Sequence, residues 1–232
     1  MPVFCPLASG SSGNCIFAAN GNTRVLFDAG MSGKKIQAGL RQIKIEPESI
    51  DAIIITHEHG DHILGAGVMA RRYGIPLYAT ALTWETMERE KILGPVSPDK
   101  CFSLNYGKKY TLGDLQIKPF KISHDAAEPA GYSIFASGYK ISIATDLGLA
   151  TDDLKENLSD SDILLLESNH DVDMLKNGPY PEYLKKRILS KHGHLSNKDC
   201  ADAAVLLAAS GVRHIILAHR LMPIPSFRSP RF

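Results

Sequence analysis

The chain has 232 residues, of which 44% are hydrophobic and 22% are charged, and a formal net charge of +1. The composition excludes disordered and fibrous proteins, and the length suits one large domain or two fused halves. The small net charge gives no global basic field, so any nucleic-acid contact would need a local basic patch. The chain has four scattered cysteines without C-x-x-C spacing, and it lacks a signal segment and an apolar run of membrane-spanning length. These features predict a soluble, cytoplasmic protein with no membrane contact. The oligomeric state stays open.

Short apolar runs separated by turn signals predict strands near the N-terminus. The predicted strands are Val3–Ala8, Cys15–Ala19 and Arg24–Phe27. The polar segment 9–14, between the first two strands, either connects a hairpin or offers backbone N–H groups to an anion. Asp28 ends the third strand, and we interpret it as a helix cap or an active-site group. Ser32 then begins an amphipathic helix that extends to about Ile43.

A dense group of potential metal ligands follows Asp51–Ile55, a nearly all-apolar strand of the kind that is covered on both faces. Side chains alternate in an extended segment, so His57 and His59 point the same way and can reach one ion. Asp61 and His62 come just after a glycine that lets the chain turn, and they can face a second ion. A polar loop at a helix entrance is the alternative, but three histidines and an aspartate within six residues favour metal ligation.

The rest of the chain alternates further helices and strands. Helices at 63–73 and 82–92 flank a strand at 77–80, and this order predicts parallel pairing through a right-handed crossover. Later predicted strands are Leu115–Ser123, Gly131–Ala136, Tyr139–Thr145, Ile163–Leu166 and Arg213–Ala218. Later predicted helices are Glu182–Leu189 and a helix capped by Ser196, with Asp199 as capping partner, that runs to about Ser210.

Five candidate groups share one position, directly after an apolar strand. They are Asp28, the stretch from His57 to His62, His124, Asp146 and His219. Taken singly, each has an ordinary explanation as a helix cap or as a surface or buried histidine. If the strands lie side by side, however, these groups meet along one rim of the sheet, and one shared site explains all five.

On these residues the chain resembles the metallo-β-lactamase fold hydrolases over residues 3–219, with the motif H-x-H-x-D-H at His57, His59, Asp61 and His62. The resemblance implies an α/β (α+β) fold, a four-layer αββα sandwich of two similar halves, which would occupy residues 1–219. It implies that a first ion is bound by His57, His59 and His124. It implies that a second ion is bound by Asp61, His62 and His219. Asp146 would bridge both ions, and Asp28 would orient the cluster.

Other residues distinguish branches of that family. The β-lactamases proper carry a cysteine at the position of Asp146, which disfavours antibiotic hydrolysis, and flavodiiron reductases replace His59 by glutamate. The segment at His194 resembles the final motifs of ribonucleases Z and J, in which this histidine contacts the scissile phosphate. Together with segments 9–14 and 167–171, it is similar to a bacterial subfamily regarded as DNA exonucleases that act from the 5′ end.

The resemblance therefore implies a phosphodiesterase or nuclease with two divalent ions, zinc or manganese, with iron also compatible. Two such ions about 4 Å apart can hold a shared hydroxide and clamp a phosphodiester. Asp61 could orient the hydroxide, His194 could donate a hydrogen bond or proton to the leaving group, and Asp28 would support them. The expected partner is a nucleic acid, with DNA favoured over RNA.

Two alternatives stay open: a thioesterase or lactonase of the same fold, and a metal-binding but catalytically weak regulatory or binding module. Residues 220–232 depart from the family pattern and form an atypical Pro/Arg-rich tail, either truncated or frameshifted or genuinely divergent. Seven basic residues are candidates for substrate contacts, although solvated helix faces are the commoner explanation. They are Lys34, Lys35, Arg41, Lys185, Lys186, Arg187 and Lys191.

Overall fold

The structure is a computed structural model that describes residues 1–221, so most of the tail predicted for residues 220–232 lies outside the described residues. The described residues form two six-stranded sheets. No helix among them is long and apolar enough to cross a lipid bilayer.

The first sheet takes its six strands in chain order. They are β1 (Val3–Ala8), β2 (Cys15–Asn20), β3 (Thr23–Phe27), β4 (Ala52–Ile54), β5 (Leu77–Thr80) and β6 (Cys101–Leu104). The first three strands pair antiparallel, and β3 to β6 pair parallel. The parallel pairing predicted around residues 77–80 is therefore present.

The second sheet has the order β12-β11-β10-β9-β8-β7. Its strands are β7 (Tyr110–Leu112), β8 (Leu115–Lys121), β9 (Ala130–Ala136), β10 (Tyr139–Ala144), β11 (Ile163–Glu167) and β12 (His214–Ala218). Strands β7 to β10 pair antiparallel, and β10 to β12 pair parallel. In both sheets, therefore, the antiparallel strands come first along the chain and the parallel strands follow.

Eight α-helices lie among the described residues, and five of them pack on the outer faces of the sheets. The eight helices are α1 (Gly33–Gln42), α2 (Gly60–Ile63), α3 (Ala66–Tyr73), α4 (Ala81–Arg89), α5 (Asp152–Leu158), α6 (Val172–Asn177), α7 (Glu182–Ile188) and α8 (Asn197–Ala209). The Ser32 side chain accepts from the N–H of Lys35 and caps α1, and Ser196 accepts from the N–H of Asp199 and caps α8. Both predicted caps are thus present.

Three apolar cores separate four layers. Along β2, Ile16 faces the core between the sheets, whereas Phe17 faces the core under α1, α3 and α4, because successive side chains of a strand point to opposite faces. A third core lies between the second sheet and α5 and α8, around Leu164 and Leu207. The predicted αββα sandwich is therefore confirmed.

The helix predicted at 63–73 is instead two helices, α2 and α3, with a break at Gly65. The N–H of Gly65 donates to the carbonyl of Ala29 at 2.7 Å, which ties this point to the turn after β3. A β-carbon at Gly65 would lie 2.3 Å from the carbonyl oxygen of Met31, so only glycine permits this approach. The contact fixes the residues that precede α3 against the end of β3.

Candidate metal centre

The carboxyl ends of six strands supply the side chains of one cluster. Asp28 follows β3, and the stretch from His57 to His62 follows β4. From the second sheet, His124 follows β8, Asp146 follows β10 and His219 follows β12, while β11 ends at Glu167. The structure thus brings together every strand-end residue predicted from the sequence, and His194 lies beside them.

Three of these strand-end residues adopt a left-handed backbone conformation, with φ of 60° at Asp28, 57° at Asp146 and 58° at His219. Residues other than glycine adopt this conformation at a cost of about 1–2 kcal/mol. Such strain concentrates at functional sites, where the surrounding structure holds it in place. Each of the three residues lies within two positions of the end of its strand, so each turn carries its side chain to the same rim.

His57, His59 and His124 form the first ligand set. His57 Nε2 lies 3.0 Å from His59 Nδ1, and His124 Nε2 lies 3.2 Å from the same atom. The other nitrogen of His124, Nδ1, donates to the carbonyl of Gly193 at 3.2 Å, so Nε2 is the nitrogen that faces the centre. Three ring nitrogens at these separations can bind one ion.

Asp61, His62 and His219 form the second ligand set. Asp61 Oδ2 lies 3.7 Å from His62 Nε2 and 3.8 Å from His219 Nε2. All three ligand atoms lie within 4.8 Å of one another. This set matches the second group of residues that the family resemblance implied.

Asp146 lies between the two ligand sets. Its Oδ2 is 3.3 Å from His62 Nε2, and its Oδ1 is 3.3 Å from His219 Nε2 and 4.0 Å from His124 Nε2. Within residues 1–221, neither Asp146 Oδ2 nor His219 Nε2 has a hydrogen-bond partner, although both atoms are buried. A buried polar atom without a partner is costly, and a metal ion would satisfy both atoms.

Asp28 is buried behind His62 and does not face the centre. Its Oδ2 accepts from His62 Nδ1 at 2.8 Å, and Oδ1 accepts from the N–H of Thr56, also at 2.8 Å. The contact fixes the ring so that His62 Nε2 points towards Asp146. Carboxylates commonly orient metal-binding histidines in this way.

Glu167 is a central residue of the site that the sequence interpretation did not assign. Its Oε1 accepts from His194 Nδ1 and from His219 Nδ1, both at 2.8 Å, and its Oε2 accepts from the N–H groups of Leu147 and Leu195. Four hydrogen bonds use the carboxylate's acceptor capacity, so Glu167 orients histidines and is not itself free to bind metal. The available signal was its position, a carboxylate at the end of an apolar strand, as for Asp28 and Asp146.

The 9–14 segment is a hairpin connection between β1 and β2, one of the two interpretations of its sequence. Ser9 Oγ accepts from the N–H of His219 at 3.0 Å, and the N–H of Asn14 donates to the carbonyl of Asp61 at 2.8 Å. Asn14 Nδ2 also lies 2.9 Å from His62 Nε2. The segment therefore contacts all three members of the second ligand set, which the sequence did not indicate.

A cavity of about 490 Å³ opens onto the cluster. His59, Asp61, Asp146 and His194 are on its wall, and α7 contributes Arg187. Because His194 Nδ1 donates to Glu167, Nε2 is the ring nitrogen that remains for a bound molecule. The cavity thus combines potential metal ligands with one separate histidine.

The two ligand sets differ in their proton affinity. Burial lowers the pKa of His57 well below its usual range and the pKa of His124 to about 4, so both rings are neutral near pH 7. Burial also acts to lower the pKa of His219, but Asp146, Asp61 and Glu167 raise it to about 10. Burial likewise acts to lower the pKa of His62, but Asp146 and Asp28 raise it well above its ordinary value.

The carboxylates balance these protonated rings. Burial acts to raise the pKa of Asp146, but His219 and His62 hold it well below its ordinary value. Burial also acts to raise the pKa of Glu167, and its hydrogen bonds from His194 and His219 lower it. In the metal-free chain, two protons therefore lie where the second ligand set would bind a cation.

The donor atoms fit a pair of divalent ions. Imidazole nitrogens and carboxylate oxygens suit zinc, manganese and iron, and Asp146 is placed to contact both ions. Of the three buried side-chain atoms without hydrogen bonds among the described residues, two belong to Asp146 and His219, and the third is His170 Nε2. A site stabilised only by protein hydrogen bonds would pair these atoms.

Comparison with known sequences gives one matching family. The family described as "Beta-lactamase superfamily domain" matches residues 23–220. The match contains every predicted site residue from Asp28 to His219.

Two curated relatives match nearly the whole chain. Exodeoxyribonuclease WalJ of Streptococcus pneumoniae is 44% identical over 213 residues, covering 92% of this chain and 79% of that protein. Exodeoxyribonuclease YycJ of Bacillus anthracis is 40% identical over 216 residues, covering 93% and 81%. Among solved structures, the metallo-beta-lactamase fold protein YhfI of Bacillus subtilis has a TM-score of 0.74 at 17% identity and covers 95% of this chain and 86% of its own, which shows the fold alone.

Proposed function

The chain belongs to the metallo-β-lactamase superfamily, and we propose that it acts on DNA as a metal-dependent exonuclease. It is a metal-dependent hydrolase related to bacterial exodeoxyribonucleases. The observation that carries the proposal is the meeting of both ligand sets at Asp146, with His194 beside them in one cavity. Phosphodiesters are a substrate class that two-metal sites cleave.

We propose zinc or manganese as the two ions. The first would be held by the first ligand set, the second by the second ligand set, and Asp146 would contact both. When bound, the ions would act as Lewis acids on a phosphoryl oxygen and lower the pKa of water.

The chain's own residues would position the substrate and move protons. Burial acts to raise the pKa of Asp61, but His219 and His62 lower it, so this carboxylate is ionised and can orient the attacking water by accepting a hydrogen bond from it. His194 would present Nε2 to the leaving oxygen, because Glu167 holds Nδ1. Asp28 would keep His62 in its orientation.

The proposed substrate class is tested with purified protein, manganese or zinc, and end-labelled single- and double-stranded DNA and RNA, alongside a thioester and a lactam. We expect stepwise loss of nucleotides from DNA. Cleavage of only the thioester or the lactam would contradict the nuclease assignment. No hydrolysis with a full complement of metal would favour the binding-module alternative.

The proposed metal ligands are tested with His59→Ala and Asp146→Ala. Each change removes a metal contact, so we expect activity to fall at least about 100-fold, while the circular dichroism spectrum stays that of a folded protein. Glu156→Gln, an exposed change on α5, is the control. Turnover like that of the unmodified protein in either variant would contradict the ligand assignment.

We also propose a cytoplasmic location. Cys5, Cys15, Cys101 and Cys200 all carry free thiols, which suits a reducing compartment. Fractionation of cells that produce the protein tests this location directly.

A further inference from the structure

We propose that Arg187, held in place by Asp125, binds a DNA phosphate next to the one that is cleaved. This inference rests on the proposed function and adds a second phosphate position to the same site. Arg187 lies on α7, which neither ligand set uses, and the seven basic residues noted in the sequence gave no reason to prefer it.

Arg187 differs in position from the other cationic side chains that the structure describes. Of the described residues that line the cavity over the metal cluster, it is the only lysine or arginine. The neighbouring Lys185 does not line this cavity, and its ammonium donates to the carbonyl of Lys176 and to Glu182. A DNA strand entering the cavity would meet one fixed cation, the Arg187 guanidinium.

Asp125 fixes the geometry of that guanidinium. Arg187 Nε donates to Asp125 Oδ2 at 2.5 Å, and Nη2 donates to Oδ1 at 3.2 Å. This side-on pairing engages one edge of the planar group and leaves the edge with Nη1 for another partner. The Arg187 side chain is half exposed, so that edge is accessible to a phosphate.

The same aspartate links Arg187 to the metal cluster. Asp125 Oδ1 lies 3.4 Å from His124 Nε2 and 4.0 Å from His59 Nε2. The Asp125 carboxylate therefore lies between the guanidinium and the first ligand set. This short separation suits a phosphate adjacent to the scissile one and not a remote part of the strand.

Charge gives a reason for a cation at this point. Five carboxylates surround the cluster, and together they outweigh the charge of two divalent ions. They are Asp28, Asp61, Asp125, Asp146 and Glu167. Without Arg187 these groups leave a net negative charge that would repel an anionic strand, and the Arg187 guanidinium neutralises it. Arginine also binds phosphate oxygens through paired N–H groups.

The test compares Arg187→Ala and Arg187→Lys with Lys186→Ala, an exposed control that removes the same charge from the neighbouring position of α7. Each variant is assayed on a DNA oligonucleotide and on bis(p-nitrophenyl) phosphate, which has one phosphodiester and no neighbouring phosphate. Oligonucleotide binding is measured over a range of salt concentrations without turnover.

For Arg187→Ala we expect KM for the oligonucleotide to rise about 10-fold or more. The slope of the logarithm of the binding constant against the logarithm of the salt concentration should decrease by about the contribution of one phosphate contact. Activity on bis(p-nitrophenyl) phosphate should stay within about 2-fold, because that substrate lacks the second phosphate. Arg187→Lys should be intermediate, since it keeps the charge and loses the paired N–H groups.

Equal losses on both substrates would overturn the inference, because they would mean that Arg187 acts by holding Asp125 and the metal ligands. An equal effect of Lys186→Ala would overturn it in favour of a general charge effect. In both cases the unmodified protein would still cleave DNA, so the proposed function would stand. A protein that cleaves bis(p-nitrophenyl) phosphate and no DNA would overturn both.

Discussion

Glu167 determines which nitrogen of two histidines faces the site. The buried carboxylate accepts hydrogen bonds from Nδ1 of both His194 and His219, so in each ring Nε2 is the nitrogen left for another partner. Nε2 of His219 is then directed at Asp146, and Nε2 of His194 is left for the substrate. One side chain thus sets the orientation of a metal ligand and of the proposed leaving-group donor.

Glu167→Gln should lower activity about 10- to 100-fold, because the amide removes the negative charge and presents an N–H group to groups that are already donors. Metal content should fall mainly at the second ligand set, since His219 loses its orientation while the first ligand set does not contact Glu167. The measurements are kcat and the metal-to-protein ratio. The control Glu156→Gln changes an exposed residue of α5 and should leave both values unchanged. An unchanged metal ratio together with full activity in Glu167→Gln would contradict the proposal that Glu167 orients His194 and His219.

The sequence predicted the residues that carry a recognisable motif or follow an isolated apolar strand. It assigned no role to Glu167 or Asn14, and it gave Arg187 only as one of seven basic candidates for substrate contact. Their roles depend on which segments are neighbours in space: Asn14 contacts Asp61 across 47 positions of the chain, and Arg187 contacts Asp125 across 62. Such pairings come from the arrangement of strands and helices and leave no local pattern in the sequence.

At the scale of elements, the turn after β3 is packed directly against the start of α2. The N–H of Ala29 donates to the carbonyl of His62 at 2.8 Å, and Gly30 pairs with Asn14. A β-carbon at Gly30 would lie 1.6 Å from the carbonyl oxygen of Asp61. The close approach holds the second ligand set against the hairpin connection and can be made only by glycine.

Gly30→Ala should therefore move the backbone at Asp61, destabilise the fold by at least about 2 kcal/mol and weaken metal binding at the second ligand set. Gly39→Ala is the matched control, because Gly39 lies in α1 and an added β-carbon there would meet Leu7 at an ordinary 3.6 Å. Alanine is the better helix former, so this control should be stabilised by about 0.5–1 kcal/mol. Thermal melting and metal titration of both variants provide the comparison, and equal melting temperatures would contradict the packing argument.

Several elements were not predicted because their sequences are short or lack periodicity. Strand β6 is an edge strand with two exposed residues in its centre, and α5 and α6 have only seven and six residues. Short elements of this kind are stabilised by their neighbours more than by their own sequence. The longer elements, such as β2 and α8, carry apolar patterns that identify them from the sequence.

At the scale of the whole molecule, the cluster joins the two sheets. Asp61 and the histidines after β4 come from the first sheet, whereas His124, Asp146 and His219 come from the second. Ions bound by both groups would bind the folded chain and not the unfolded chain, which stabilises a protein by about 2.7 kcal/mol when the ligand is at 100 times its Kd. Metal binding and folding are therefore expected to be coupled.

This coupling should depend on pH, because protons and metal compete for the second ligand set. The pKa of His219 rises from an ordinary 6.5 to about 10 in the folded, metal-free chain, and the pKa of His62 is raised as well. A raised pKa contributes stability that is fully present below pH 6.5 and is lost as the pH rises towards the folded value. The lowered pKa values of Asp61, Asp146 and Glu167 act at the other end, where their contribution is lost as the pH falls through the acid range.

We therefore expect the metal-free protein to lose stability between pH 6.5 and about pH 10, while deprotonation of the same histidines strengthens metal binding. The difference in melting temperature between manganese-loaded and chelator-treated protein should widen by several degrees over this range, since ~1 kcal/mol shifts the melting temperature of a chain of this size by about 2–4 °C. His219→Gln should remove most of this increase in the melting-temperature difference, because it removes the histidine whose proton the metal displaces. His214→Gln changes an exposed histidine on the same strand and should retain it. A gap that stays constant with pH in the unmodified protein would mean that the second ligand set binds metal without releasing protons, contrary to the charge distribution of the site.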